Sequence, residues 1–284
     1  MMYNEIFKSM KYKFLTLSVF VLLSFTTKAQ QLSKSIWESN KLPVPESVLY
    51  SPIDNKLYVS LIDGAGNVKD GKGGVAILNT DGSISKEKWV EGLDAPKGLA
   101  RFKNTLFVAD ITAVISIDIS SGKVINKLEI ENTVFLNDVT VDDKGVVYVS
   151  DTRTNTIYRI ENGKSELYLE NVSGANGLKW INKNLYVLAN TELLKIDKNK
   201  NRTVIAQGFE KSGDGLEQLK NGDFIVTSWA GIVYYVKANG EIKKLQDVQG
   251  QMNTADLGYN PKENMLYIPT FNHNNVIAYQ LLAD

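Results

Sequence analysis

Three observations predict an all-β chain folded as a six-bladed β-propeller with four-stranded blades, its ring closed by an N-terminal strand. A pattern recurs about every forty residues, β-rich runs follow each recurrence in the same order, and the last unit is one strand short while an unmatched strand stands at the front. Four short strands per repeat of that period is the signature of propeller blades.

The recurring element is a small residue followed by an apolar one, with a variable residue just before the pair. That variable position is Glu46 in PESVLYS, Lys97 in PKGLARF, Asn137 in LNDVTVD, Asn176 in ANGLKWI, Asp214 in GDGLEQL and Ala255 in TADLGYN, at spacings of 51, 40, 39, 38 and 41 residues. After each comes a turn and a second run: KLYVSL, TLFVAD, VVYVSD, NLYVLA, DFIVTS and MLYIPT. A third run follows in the later units (VISIDI, TIYRIE, LLKIDK, IVYYVK, VIAYQL), and a weaker fourth in most, such as KLEIEN and ELYLEN. Short apolar or alternating runs separated by Asn, Gly and Asp read as hairpins in series. The sixth unit ends after its third run, and SKSIWES near residue 36 precedes the first. Pairing the two completes the ring and removes an exposed sheet edge. No tract rich in Pro, Ser or Gly interrupts the repeat, so residues 30–284 are expected to form a single domain.

Residues 1–29 read as a cleaved secretory signal. Lys8, Lys11 and Lys13 precede an apolar run of 12 residues from Phe14 to Phe25, with Thr27 and Ala29 at the exit, and Met10 heads a complete leader of its own. The run is well short of the ~20 residues of a membrane-spanning helix. Export to the periplasm or beyond is expected, with no membrane insertion after cleavage. The chain has no cysteine, which excludes disulfides, thiolate metal sites and thiol nucleophiles. Residues 30–284 carry a net charge of −3, so nothing electrostatic points to nucleic acid as a partner.

In a propeller the innermost strands line a central channel, and equivalent residues of successive blades form a ring around it. Four of the six ring residues, Glu46, Asn137, Asn176 and Asp214, carry side-chain oxygens. Two carboxylates and two amides suit a hard divalent cation, Ca²⁺ first, with Mg²⁺, Mn²⁺ and Zn²⁺ as the other candidates. Taken singly, an Asp or Asn beside Gly is an ordinary turn residue; the shared phase of four of them is what turn chemistry does not demand. A cation here has a second reading, as a plug that only rigidifies the channel.

The segments PES, FLND, ANGL and GDGL, each followed by a YV-like strand, resemble the family of regucalcin, gluconolactonase and related lactonases, with paraoxonase and NHL-repeat propellers as more distant relatives. The resemblance implies that Glu46, Asn176 and Asp214 hold the metal, with Asn137 near both metal and substrate, and that the activity is hydrolysis of a lactone or related ester. This chain has Phe135 where the sugar lactonases carry an arginine, and its single histidine, His273, leaves no paraoxonase-type pair. A less polar lactone or ester is therefore the expected small-molecule substrate. A metal-polarised carbonyl attacked by water needs a base, and Asp214 is the candidate, doubling as ligand, with Glu46 as the anchoring charge.

The turns after the second strands should wall the pocket on the ring's face. They include a Gly-rich insertion at 62–74, readable as a lid or as a hairpin tip, and turns bearing Trp229 and Phe271. Phe135 and Trp229 are the expected substrate contacts beside Asn137. Asp110 and Asp151 read as turn caps, His273 as a solvated loop residue, and Asp138 as either a second-ion ligand or a backbone acceptor. The competing function is a non-catalytic, NHL-like propeller binding a small ligand or protein partner, favoured by Phe135, Lys97 and Ala255, which interrupt the polar ring. A strictosidine-synthase-like propeller is a third option, since that chemistry needs no ring of four ligands.

Overall fold

A computed structural model describes residues 30–282; the expected signal segment lies outside the described residues. Six four-stranded antiparallel sheets stand in a ring. The innermost strands of blades 1 to 6 are Pro45–Ser51, Pro96–Phe102, Leu136–Val141, Ala175–Ile181, Leu216–Gln218 and Gly258–Asn260. Blade 6 draws three strands from the C-terminal segment, and its outermost strand is Gln31–Glu38, antiparallel to Val276–Leu282. The first described strand is thus the last of the ring, as the unfinished sixth repeat requires.

Each middle strand is covered on both faces by neighbouring blades, which is why runs such as Val147–Asp151 and Ile232–Val236 are buried throughout instead of alternating. The apolar core is divided accordingly. Six main clusters of buried residues each join two adjacent blades, for example Leu99 and Leu106 of blade 2 with Val75 and Tyr58 of blade 1, and Leu266 and Ile268 of blade 6 with Ile225 and Val233 of blade 5. Outermost strands face water, and Lys123–Glu129 is exposed along almost its whole length.

The recurring small residue has a steric cause. Neighbouring innermost strands approach so closely at this level that a Cβ on Gly98 would stand 2.2 Å from Asp138 Oδ1, and one on Gly177 2.2 Å from the Asp214 carbonyl oxygen. The pairing of innermost with second strands slips at the same level, between Pro45 and Val48, Pro96 and Leu99, Leu136 and Val139, and Ala175 and Leu178. Such irregularities re-aim side chains. Here they fall on Glu46, Lys97, Asn137 and Asn176, while Asp214 and Ala255 lie just ahead of the paired stretch of their blades. Backbone bonds from Asp214 N to Thr227 O (2.8 Å) and Ala255 N to Pro269 O (3.0 Å) keep these two in place.

Candidate active site at the channel mouth

A cavity of about 320 Å³ opens at this end of the channel, lined by Glu46, Lys97, Asn137, Asn176 and Asp214 below and by Ile62, Gly66, Phe135, Trp229 and Phe271 around it. All six residues expected at the site from sequence line this one cavity.

The polar floor is oriented by bonds from the blades. The Thr152 hydroxyl donates to the Ala175 carbonyl (2.7 Å), so its oxygen accepts from Asn137 Nδ2 (3.1 Å) and turns the Asn137 amide oxygen away from it. Asn176 Nδ2 donates to Asp214 Oδ1 (2.8 Å), which frees the Asn176 amide oxygen and commits one carboxylate oxygen of Asp214. The other, Oδ2, is buried without a partner, and so is Glu46 Oε2. A buried carboxylate oxygen with nothing to accept is costly. Burial pushes Asp214 up to about 7, against the opposing hydrogen bond from Asn176. Burial, with Asp214 nearby, raises Glu46 well above the usual carboxylate range.

Two orphaned carboxylate oxygens and two uncommitted amide oxygens fit the donor chemistry of a hard cation. Among the described residues, no group of three or more His, Cys, Asp or Glu side chains is arranged to hold a metal, so any cation here must use the amides as well.

The ring positions read as interruptions behave differently from one another. Ala255 is buried and contributes no polar group. Lys97 is 2% exposed yet lines the cavity; its Nζ donates to the Ala95 carbonyl (2.9 Å) and lies 4.4 Å from the centre of the Phe135 ring. Burial lowers its ammonium below the ordinary lysine value, against the pull of Glu46 and Asp110. The ring is therefore not broken at blade 2 but carries charge of the opposite sign. The Arg153 guanidinium also lies over the Phe135 ring, 4.5 Å from its centre. An arginine thus stands beside Phe135 in space although none stands at its position in the chain. Lys97 had the right phase in the repeat to be found from sequence, whereas Arg153, inside the turn SDTRTN, gave no such signal.

Both turn caps hold this wall. Asp110 accepts from Asp94 N (3.0 Å) and Ala95 N (2.7 Å), fixing the segment whose carbonyl anchors Lys97. Asp151 Oδ2 accepts from Val134 N (2.6 Å) and Phe135 N (3.1 Å). Trp229, 46% exposed, meets Phe271 edge to face at 5.5 Å and forms the rim opposite. The 62–74 insertion reaches the cavity through Ile62 and Gly66 and is tied to blade 2 by Lys69 Nζ, which donates to Thr112 Oγ1 (2.5 Å). His273 is exposed and is not among the lining residues. Asp138 faces the strands: it accepts from Leu178 N and Val139 N, both at 2.6 Å, which makes it a backbone acceptor.

No protein-family model matches the chain, and no curated protein matches it in sequence. Solved structures do. A gluconolactonase from Xanthomonas campestris is 16% identical over 86% of this chain and 88% of its own, with a TM-score of 0.66. A streptogramin B lyase is 12% identical over 89% and 98% (TM-score 0.65), and a luciferin-regenerating enzyme 12% identical over 90% and 95% (TM-score 0.63). At such identities the likeness is one of fold: the chain shares the six-bladed propeller of the gluconolactonase and luciferin-regenerating structures, in keeping with the resemblance carried by its four motifs.

Proposed function

We propose that the protein is a metal-dependent hydrolase of a lactone or related carboxylic ester, acting at the mouth of the propeller channel. The observation that carries this reading is the pair of partnerless oxygens, Glu46 Oε2 and Asp214 Oδ2, in one cavity with two free amide oxygens. The gluconolactonase neighbours support the same class of chemistry on the same fold. Glu46, Asn137, Asn176 and Asp214 would hold the cation, with Ca²⁺ the first candidate.

When bound, a divalent cation supplies the positive charge that polarises the scissile carbonyl. The chain's own residues do the rest. Asp214 takes the proton of the attacking water, while Asn176 Nδ2 holds Oδ1 and fixes the orientation of the carboxylate. Asn137, its Nδ2 steadied by Thr152, keeps its amide oxygen free for the cation. Phe135, Trp229, Phe271 and Ile62 offer an apolar wall, which favours a less polar lactone or ester over a polyhydroxylated one. The leader-like residues 1–29 support an exported enzyme.

The test is hydrolysis of a panel of γ- and δ-lactones and aryl esters by residues 30–284, after chelation and again after restoring Ca²⁺, Mg²⁺, Mn²⁺ or Zn²⁺. Turnover lost on chelation and regained with one of these ions is the expected result. No turnover on any substrate, with saturable ligand binding in its place, would favour the binding propeller.

A further inference from the structure

We propose that Lys97 is the catalytic acid of this site, donating a proton to the alkoxide oxygen as the ester bond breaks. The inference rests on the hydrolase reading above and adds to it the fate of the leaving group.

Hydrolysis requires two proton movements. The attacking water gives its oxygen to the carbonyl carbon and one proton to Asp214. The acyl C–O bond then breaks, its electron pair stays on the departing oxygen, and an alkyl alkoxide, a poor leaving group, gains a proton as it departs. Asp214 is the acceptor of the first proton, and Glu46 is ionised whenever it anchors a cation. The amides of Asn137 and Asn176 and the indole of Trp229 donate hydrogen bonds but do not release protons. Among the polar residues lining the cavity, that leaves Lys97.

Its geometry suits the task. The ammonium has three N–H groups, of which the Ala95 carbonyl engages one and the Phe135 ring provides a face for the cation, so at least one N–H has no oxygen acceptor. Burying an ammonium short of acceptors is expensive, and its place in the wall of a ligand-sized cavity gives that cost a purpose. The anchor is itself braced, since Asp110 fixes the Ala95 peptide. Burial also weakens the hold of Nζ on its proton, which brings a lysine closer to the range in which it serves as an acid near neutral pH. The neutral amine regains its proton through solvent as Asp214 loses the one it took, and the cycle closes with one water consumed.

The experiment compares two esters of the same acid, an alkyl ester and a 4-nitrophenyl ester whose phenolate leaves without a proton, on wild type, Lys97→Met and Lys97→Arg. Lys97→Met should lower kcat/KM for the alkyl ester by roughly 10²–10⁴-fold. Its effect on the nitrophenyl ester should be at least about ten times smaller. Lys97→Arg keeps the charge and the cation–ring contact but not the transferable proton; it should follow Lys97→Met, and it preserves the test if the methionine variant fails to fold. Equal losses on both esters, or full activity of Lys97→Arg, would overturn the role of Lys97 while leaving the hydrolase reading in place. A wild-type protein inert toward both esters and the lactone panel would overturn the hydrolase reading and this inference together.

Discussion

At the lower end of the channel Glu217 accepts from Lys179 at 2.7 Å, Asp256 accepts from the Ser47 hydroxyl at 2.6 Å, and Asp138 takes two backbone N–H groups. At the upper end of the same innermost strands, Glu46 Oε2 and Asp214 Oδ2 accept nothing, and Lys97 has more N–H groups than oxygen acceptors. Both ends carry acids, a lysine and a cavity. What separates their charged groups is satisfaction: the lower ones find their partners within the protein, and the upper ones are left short of them. Buried polar atoms are ordinarily paired; Trp180 Nε1 beside the lower cavity, Gln246 Oε1 and Tyr267 OH are exceptions too, but among the described residues the unpaired buried carboxylate oxygens are Glu46 Oε2 and Asp214 Oδ2, both at the upper end.

The largest effect expected from this contrast is catalytic. Asp214→Asn and Glu46→Gln should each lower kcat/KM for lactone or ester hydrolysis by roughly 10²–10⁴-fold. Neither should lower the thermal transition, because each replaces a buried carboxyl whose ionisation the cation-free fold opposes with a neutral amide of the same shape; a cooperative loss of structure in either variant would break the comparison.

The next effect is one of pH. In cation-free protein Asp214 is held up to about 7 by burial, against an ordinary value of 3.8. Between those values the folded state keeps a proton that the unfolded chain has already released. Stability from this group is therefore fully present below pH ~4 and falls as pH rises toward ~7, by about 4 kcal/mol. Asp138, also pushed up to about 7 by burial, adds a slope of the same sign. Asp214→Asn should remove only part of the slope in chemical unfolding followed from pH 4 to pH 8.

At the lower end the signs reverse. Glu217→Gln breaks a satisfied pair and should cost about 1–3 kcal/mol in chemical unfolding while leaving turnover unchanged. The smallest effect belongs to the rim. Trp229→Ala removes an edge-to-face contact with Phe271 and should raise KM several-fold for esters with bulky apolar groups, with little change in stability.

The repeat made most of this architecture legible. Side chains of one phase in six similar units must meet around one axis, so Glu46, Asn137, Asn176 and Asp214 could be grouped although 168 residues separate the first from the last. Phe135 and Trp229 were reachable for a related reason, since turns after equivalent strands return to one face. The closing strand was legible from the missing fourth run of the last unit. What could not be read depends on contacts between segments that are apart in the chain, within a blade or between blades. Lys97 looked like a defect in the ring because its anchor, the Ala95 carbonyl, is set by Asp110 on the following strand. Arg153 reaches Phe135 from the far side of a hairpin. Asp138 is turned into the strands by the Leu178 peptide of the next blade, which nothing in its own segment announces.

The most direct test of the contrast between the two ends is calorimetric titration of Ca²⁺, and in turn Mg²⁺, Mn²⁺ and Zn²⁺, into cation-stripped wild type, Asp214→Asn, Glu46→Gln and Glu217→Gln. One saturable site in wild type and Glu217→Gln, lost in Asp214→Asn and Glu46→Gln, is the predicted result. Binding that survives both upper-end substitutions, or no binding of any of the four ions to wild type, would contradict it.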